Sequence, residues 1–177
     1  TFVQSEYEHS SVVVAPTSYG KSELIIKSVN DNPHSKILIL VPSKALLAQT
    51  KKRLIYADIE GLGKVISHPE MYVEGRNDRA FVLTQERLSR LLNDHPLLSF
   101  DMVFVDEAHN LLQNDRRSEL LATMLCILGA RNKKTSFKFL TPFLCDELNV
   151  RVRFLDMTPT GFRVDEYIKS ERFYLRD

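Results

Sequence analysis

Cysteine is scarce in this chain. Its 177 residues hold two, Cys126 and Cys145, and they do not form a Cys-x-x-Cys pair. That argues against a disulfide framework and for a reducing compartment. Cys126 lies inside the apolar run 120–130 and reads as a small core residue. Long apolar runs are missing too. The longest, LLATMLCILGA, has 11 residues, against the roughly 18 or more of a membrane span. The first residues, TFVQSEYEHS, lack a basic stretch followed by an apolar one, so no signal peptide is read there. The expected location is cytoplasmic, nucleoid or nuclear, not secreted, with no membrane partner. An initiating methionine is also lacking, and the chain reads as cut from something longer. Finally, no charge sign dominates: 24 basic side chains face 23 acidic ones, a net charge of +1. Such a chain is no polycation, and any hold on DNA or RNA has to come from a local patch.

What is present is ordinary globular material, 44% hydrophobic and 27% charged, of a length that fits one well-buried domain. Short apolar runs at 11–15, 36–41, 64–67, 80–84, 102–106 and 137–141 read as strands. Helical stretches at 21–29, 43–57, 85–92 and 116–128 alternate with them. In the second of these Leu46, Leu47, Leu54 and Ile55 recur at helical spacing; in the fourth, Leu120, Leu121, Met124, Leu125 and Leu128 share a face. Strands alternating with helices predict an α/β fold, a mostly parallel sheet covered on both faces, and continuous apolar strands agree with that. Pro33, Pro42, Pro69, Pro96 and Pro142 fall at the ends of elements.

Two segments carry chemistry. The first strand runs into APTSYGKS, Ala15 to Ser22. A phosphate-binding loop needs backbone N–H groups that converge on phosphate oxygens, a glycine such as Gly20 for close approach, a lysine such as Lys21 to reach the β- and γ-phosphates, and a hydroxyl such as that of Ser22 on Mg²⁺. The helix that begins here adds its positive dipole end. The general pattern opens on glycine, where this chain has Ala15. Alone, the segment also fits a turn with a surface lysine. The second segment is MVFVDEAH, residues 102–109. Its apolar strand carries Asp106 to the carboxyl end of the sheet, where ligands bind in open α/β folds. There Asp106 suits Mg²⁺ through water, and Glu107 suits alignment of an attacking water. Alone, this too fits a strand followed by a charged helix cap. Together the two segments supply complementary halves of one nucleotide site.

These segments resemble motifs I and II of the superfamily 2 DEAD/DEAH-box helicases, and the resemblance covers residues 1 to about 160. Ala-Pro-Thr-x-x-Gly-Lys is a form of motif I in that family. Ser18 within APTSYGKS, and Asp115-Arg116-Arg117-Ser118-Glu119-Leu120 after the DEAH string, are nearest to its Ski-like branch. The resemblance implies a RecA-like P-loop domain over 1–159, with ATP and Mg²⁺ as cofactors. Lys21, Asp106 and Glu107 are then catalytic. Pro16, Thr17, Ser18, Tyr19, Gly20, Lys21 and Ser22 bind the nucleotide, and Ser22 and Asp106 hold the metal. Gln4 is either the glutamine that reads adenine or a surface glutamine. Pro42, Ser43 and Lys44 resemble motif Ia, and Thr84 and Arg87 motif Ib, which implies contacts with the DNA or RNA backbone; Ser43 and Thr84 are also good helix caps. His109 and Thr141 are expected to couple the ATP site to the nucleic-acid side.

Where the family has Ser-Ala-Thr as motif III, this chain has Leu140-Thr141-Pro142. That departure keeps open a double-strand translocase that never separates strands. A nucleotide-binding sensor module is a further alternative, against which the intact Glu107 argues. Motifs of the family's second RecA-like domain do not occur, so that domain is an expected partner from the same full-length chain. The tail 160–177 reads as a connector toward it or as an added edge strand.

Overall fold

The structure, a computed structural model, describes residues 10–14, 20–113, 115–142 and 160–163. Seven strands form one sheet: β1 (Ser11–Val14), β2 (Ile37–Leu40), β3 (Val65–Ile66), β4 (Ala80–Leu83), β5 (Met102–Val105), β6 (Ser136–Thr141) and β7 (Thr160–Arg163). Their spatial order is β3-β4-β2-β5-β6-β1-β7, and every neighbouring pair is parallel. Four helices connect them: α1 (Lys21–Asp31), α2 (Lys44–Tyr56), α3 (Gln85–Asp94) and α4 (Arg116–Arg131).

Packing explains why the strands are apolar throughout. Successive residues of a strand point to opposite faces. Ile37, Ile39, Ala80, Val82, Met102 and Phe104 meet Ile25 and Val29 of α1 and Leu47 and Leu54 of α2. Leu38, Leu40, Phe81, Leu83, Val103 and Val105 meet Leu88 and Leu91 of α3 and Leu121 and Leu125 of α4. A sheet covered on both faces leaves no polar side to alternate with. Each fully buried Leu, Ile or Phe contributes about 1.5–3 kcal/mol.

The expected elements form, with two differences. Ile55 is 55% exposed, so the buried stripe of α2 is narrower than the spacing predicts. Residues 160–163 pair with β1 as the edge strand β7, so of the two readings of the tail these four residues take the edge strand. Residues 164–177 and Cys145 lie outside the described residues. Cys126 packs partly buried against the core.

Two arginines close helix ends. The last carbonyls of a helix have no partner within it and carry partial negative charge. Arg79 sends Nη2 to Val29 O (2.9 Å) and Asn32 O (3.3 Å) at the end of α1, and Nη1 to Gly61 O (2.9 Å) and Glu60 O (3.4 Å). Arg131 does the same beyond α3, reaching Leu92 O, His95 O and Leu98 O at 2.8–3.0 Å. Arg79 is 5% exposed, so its loss strands buried acceptors. Arg79→Met is expected to destabilise the protein by about 2–4 kcal/mol, read as a lower urea midpoint with an unchanged slope.

Candidate functional site

The carboxyl ends of β1, β6 and β5 lie side by side. Parallel strands are spaced about 4.8 Å apart, so the exits of β1 and β5 are held roughly 10 Å apart with β6 between. Beyond β1, the chain reaches Gly20 in the left-handed region, φ 75° and ψ 13°. A Cβ there would meet nothing nearer than Glu23 Oε2 at 3.9 Å. What Gly20 supplies in this structure is therefore backbone conformation more than room. No side chain caps the start of α1, and its first-turn N–H groups have no partner within the helix. Lys21 opens that turn. It is 8% exposed, and its Nζ is buried without a hydrogen-bond partner among the described residues. The Ser22 hydroxyl accepts a hydrogen bond from Arg53 Nη1 on α2. Gln4, Pro16, Thr17, Ser18 and Tyr19 lie outside the described residues.

At the end of β5, Asp106 N–H donates to Leu40 O (2.9 Å), holding the residue on the sheet. Its Oδ1 accepts from Glu107 N–H at 3.0 Å. Glu107 then turns the chain out of the strand with φ 52° and ψ 47°, a left-handed conformation costing a non-glycine residue about 1–2 kcal/mol. Backbone strain of this kind collects at functional sites. A tight 3-10 turn follows over Ala108–Leu112. It brings His109 Nδ1 to 3.4 Å from Glu107 Oε2 and 3.4 Å from Thr141 Oγ1. Thr141 is fully buried at the end of β6. Asp106, Glu107, His109 and Thr141 therefore meet at one edge, beside Lys21, whose charge acts on Asp106.

An anion fits this edge: it would satisfy the orphaned Lys21 ammonium and the free start of α1. A divalent cation fits it too, through Asp106, once Ser22 exchanges Arg53 for the metal. Among the described residues no group of three or more His, Cys, Asp or Glu side chains could hold a metal. Mg²⁺ commonly takes one or two carboxylates and draws further ligands from phosphates.

Burial pushes the Asp106 carboxyl above its usual range. Glu107 adds to this, and the Glu107 N–H, Lys21 and His109 oppose it. A carboxyl raised by folding contributes stability at low pH and loses it as pH rises through the raised value. Asp106→Asn, which carries no charge, is therefore expected to have a higher Tm than wild type at pH 7.5 without nucleotide. The gap should close on acidification to pH 4, as followed by thermal unfolding.

The residues expected to touch nucleic acid lie at the same edge, and several already have partners. Ser43 caps α2, its hydroxyl accepting from Leu46 N–H at 3.2 Å, and Thr84 caps α3, accepting from Arg87 N–H at 3.5 Å. The Thr84 hydroxyl also hydrogen-bonds the Glu86 carboxylate. Arg87 Nη1 donates to Ser67 O at 2.6 Å. Pro42 offers its carbonyl to Arg117 Nη2 at 2.7 Å. Lys44 is exposed. Arg53 carries no motif in the sequence, and Arg117 lies in the 115–120 segment; their partners are 31 and 75 residues away, and only the fold joins them.

The profile of the DEAD/DEAH box helicase family matches residues 2–141. No curated protein sequence matches the chain. Among solved structures, the Pyrococcus furiosus Hef helicase domain is similar at TM-score 0.70 and 19% identity, over 96% of this chain and 39% of that one. A hypothetical ATP-dependent RNA helicase from Sulfolobus tokodaii is similar at 0.67 and 20%, over 89% and 48%. The DUF1998 helicase MrfA bound to DNA and AMPPNP is similar at 0.65 and 17%, over 89% and 25%. The chain spans less than half the length of each. At these identities the likeness shows the fold, a RecA-like helicase domain. The family match covers most of the chain, and the protein belongs to the DEAD/DEAH box helicase family.

Proposed function

We propose that this chain is the ATP-binding and ATP-hydrolysing first motor domain of a superfamily 2 DNA or RNA helicase, completed by a second RecA-like domain of the full-length protein. The observation that carries the proposal is the buried Lys21 Nζ at the start of α1, without a hydrogen-bond partner among the described residues and across β6 from Asp106. An ammonium in that position calls for an anion, and the triphosphate of ATP supplies one. Sequence motifs Ia and Ib, and MrfA bound to DNA and AMPPNP among similar structures, support DNA or RNA as the polymer acted on. Ser18 and the 115–120 segment support the Ski-like branch. The described residues contain no helix long and apolar enough to cross a membrane; a motor on DNA or RNA would work in the cytoplasm, nucleoid or nucleus.

Hydrolysis replaces the bond between the γ-phosphorus and the bridging oxygen with a bond to water oxygen, giving ADP, phosphate and a proton. Lys21 and the α1 start neutralise charge on the phosphates. Glu107, lifted off the strand by its left-handed turn, aligns the water. Mg²⁺, which Asp106 and Ser22 would hold, supplies further charge neutralisation at the β- and γ-phosphates. His109 sits between Glu107 and Thr141, and so links the water-aligning carboxylate to the end of β6. The second domain would supply arginine fingers, worth roughly 10³–10⁵ in rate in related enzymes, so a single domain turns over slowly. Leu140-Thr141-Pro142 in the place of Ser-Ala-Thr favours a second reading, translocation along duplex without strand separation.

In the full-length protein, Lys21→Ala is expected to weaken ATP binding by at least about tenfold. Glu107→Gln should keep ATP affinity while turnover falls by about 10² or more. Equilibrium titration with a fluorescent ATP analogue and phosphate-release rates read the two effects. ATP binding by Lys21→Ala equal to wild type would remove the proposal's basis.

A further inference from the structure

The hydroxyl that the proposed function assigns to the metal already holds a cation. Ser22 is the second residue of α1 and half-buried, and its Oγ accepts a hydrogen bond from Arg53 Nη1 on α2. The core fixes the two residues within reach of each other. Ile25 and Val29 of α1 and Leu47 and Leu54 of α2 are buried in one cluster, and Leu54 directly follows Arg53. Arg53 ends a run of three cations, and each takes its own direction. Lys51 Nζ donates to Ser67 Oγ at 2.9 Å, just beyond β3. Lys52 Nζ stands 5.4 Å from the centre of the Tyr56 ring. Arg53 turns to Ser22.

Bracing arginines in this fold look different. Arg79 and Arg131 are each spent on several backbone carbonyls. Among the described residues Arg53 meets the Ser22 hydroxyl and no carboxylate. It is exposed, so water replaces that hydrogen bond at little cost when the guanidinium lets go. Release has to precede any use of Ser22 by a metal. A dication on Oγ would stand within roughly 5 Å of a guanidinium still bonded to the same oxygen, and like charges that close repel. Lys21 and the open start of α1 add positive charge to the same corner. Phosphate oxygens reverse that balance.

We infer that Arg53 is a positioning residue: it holds the Ser22 hydroxyl in the nucleotide-free protein and competes with the metal for it, so that binding of a magnesium–nucleotide includes the release of Arg53. The inference rests on the proposed function and names a control on its metal site. Arg53 acts through Ser22 and needs no contact with the nucleotide. Its hold lowers affinity in proportion to the time Ser22 spends on it. A hydroxyl held for about two-thirds of the time weakens the metal-bound complex about threefold. Without metal nothing asks Ser22 to let go, and the hold has no such effect.

The test uses the full-length protein and a fluorescent ATP analogue, with equilibrium affinity measured in saturating Mg²⁺ and again in EDTA. Competition predicts a gain from a loss. Arg53→Gln, which removes the charge, should lower the dissociation constant in Mg²⁺ by at least about threefold and should not lower it in EDTA. Arg53→Ala, which leaves no donor for Ser22, should gain at least as much. In a Ser22→Ala background, where neither cation finds a hydroxyl, the gain should disappear. An arginine that merely braces α1 against α2, or one that touches phosphate, gives the opposite sign in Mg²⁺. Unchanged or weaker binding by both Arg53 variants in Mg²⁺, or an equal gain without the Ser22 hydroxyl, overturns the inference. A wild-type protein that binds no analogue in Mg²⁺ would instead sink the nucleotide-site reading itself.

Discussion

Two parallel strand pairings, β1 with β6 and β6 with β5, set the geometry on which everything at this site depends. They bring Val14 level with Thr141, and Val105 level with Phe139. The chain leaving β1 for Lys21 and the chain leaving β5 for Asp106 thus emerge on one edge with a single strand between them. These two segments are some 85 residues apart in sequence. The sheet holds that spacing because helices bury both of its faces: α1 and α2 on one, α3 and α4 on the other. A parallel sheet delivers every strand's carboxyl end to the same side, so one edge gathers the helix starts of Lys21, Ser43, Thr84 and Asp115.

Three residues at that edge depart from the low-energy choice. Lys21 is buried with no partner for its ammonium among the described residues. Asp106 is buried enough to raise its carboxyl. Glu107 adopts a backbone conformation that glycine would enter at little cost. Each departure is unfavourable alone, and under the proposed function each would be relieved or used by a triphosphate and a metal. The buried core offsets these costs in the nucleotide-free state. The arginines at the ends of α1 and α3 belong to the other side of the ledger, satisfying carbonyls that the core would otherwise leave stranded.

How much of this the sequence discloses follows from the range of the interactions involved. Strands such as 80–83 and 102–105 are legible because burial on both faces makes them uninterrupted apolar runs. Helix starts at Ser43 and Thr84 are legible because the capping residue lies within three residues of what it caps. Lys21, Asp106 and Glu107 are legible because strand-to-loop junctions keep their chemistry in contiguous strings. The left-handed turn at Glu107 is not, since glutamate carries no preference for it. The Arg53–Ser22 and Arg117–Glu86 contacts each join residues 31 apart, and no local pattern announces them. Ile55 shows the converse: helical spacing places it beside Leu47 and Leu54, yet no neighbour covers it.

The central claim is that ATP occupies the edge between Lys21 and Asp106. The most direct measurement is a crystal structure of the full-length protein with Mg²⁺ and a non-hydrolysable ATP analogue. The account predicts Lys21 Nζ bonded to the β- and γ-phosphates, Ser22 Oγ released from Arg53 onto the metal, and Asp106 oriented toward it. A nucleotide bound elsewhere, with Lys21 Nζ still buried and unpartnered, would contradict it.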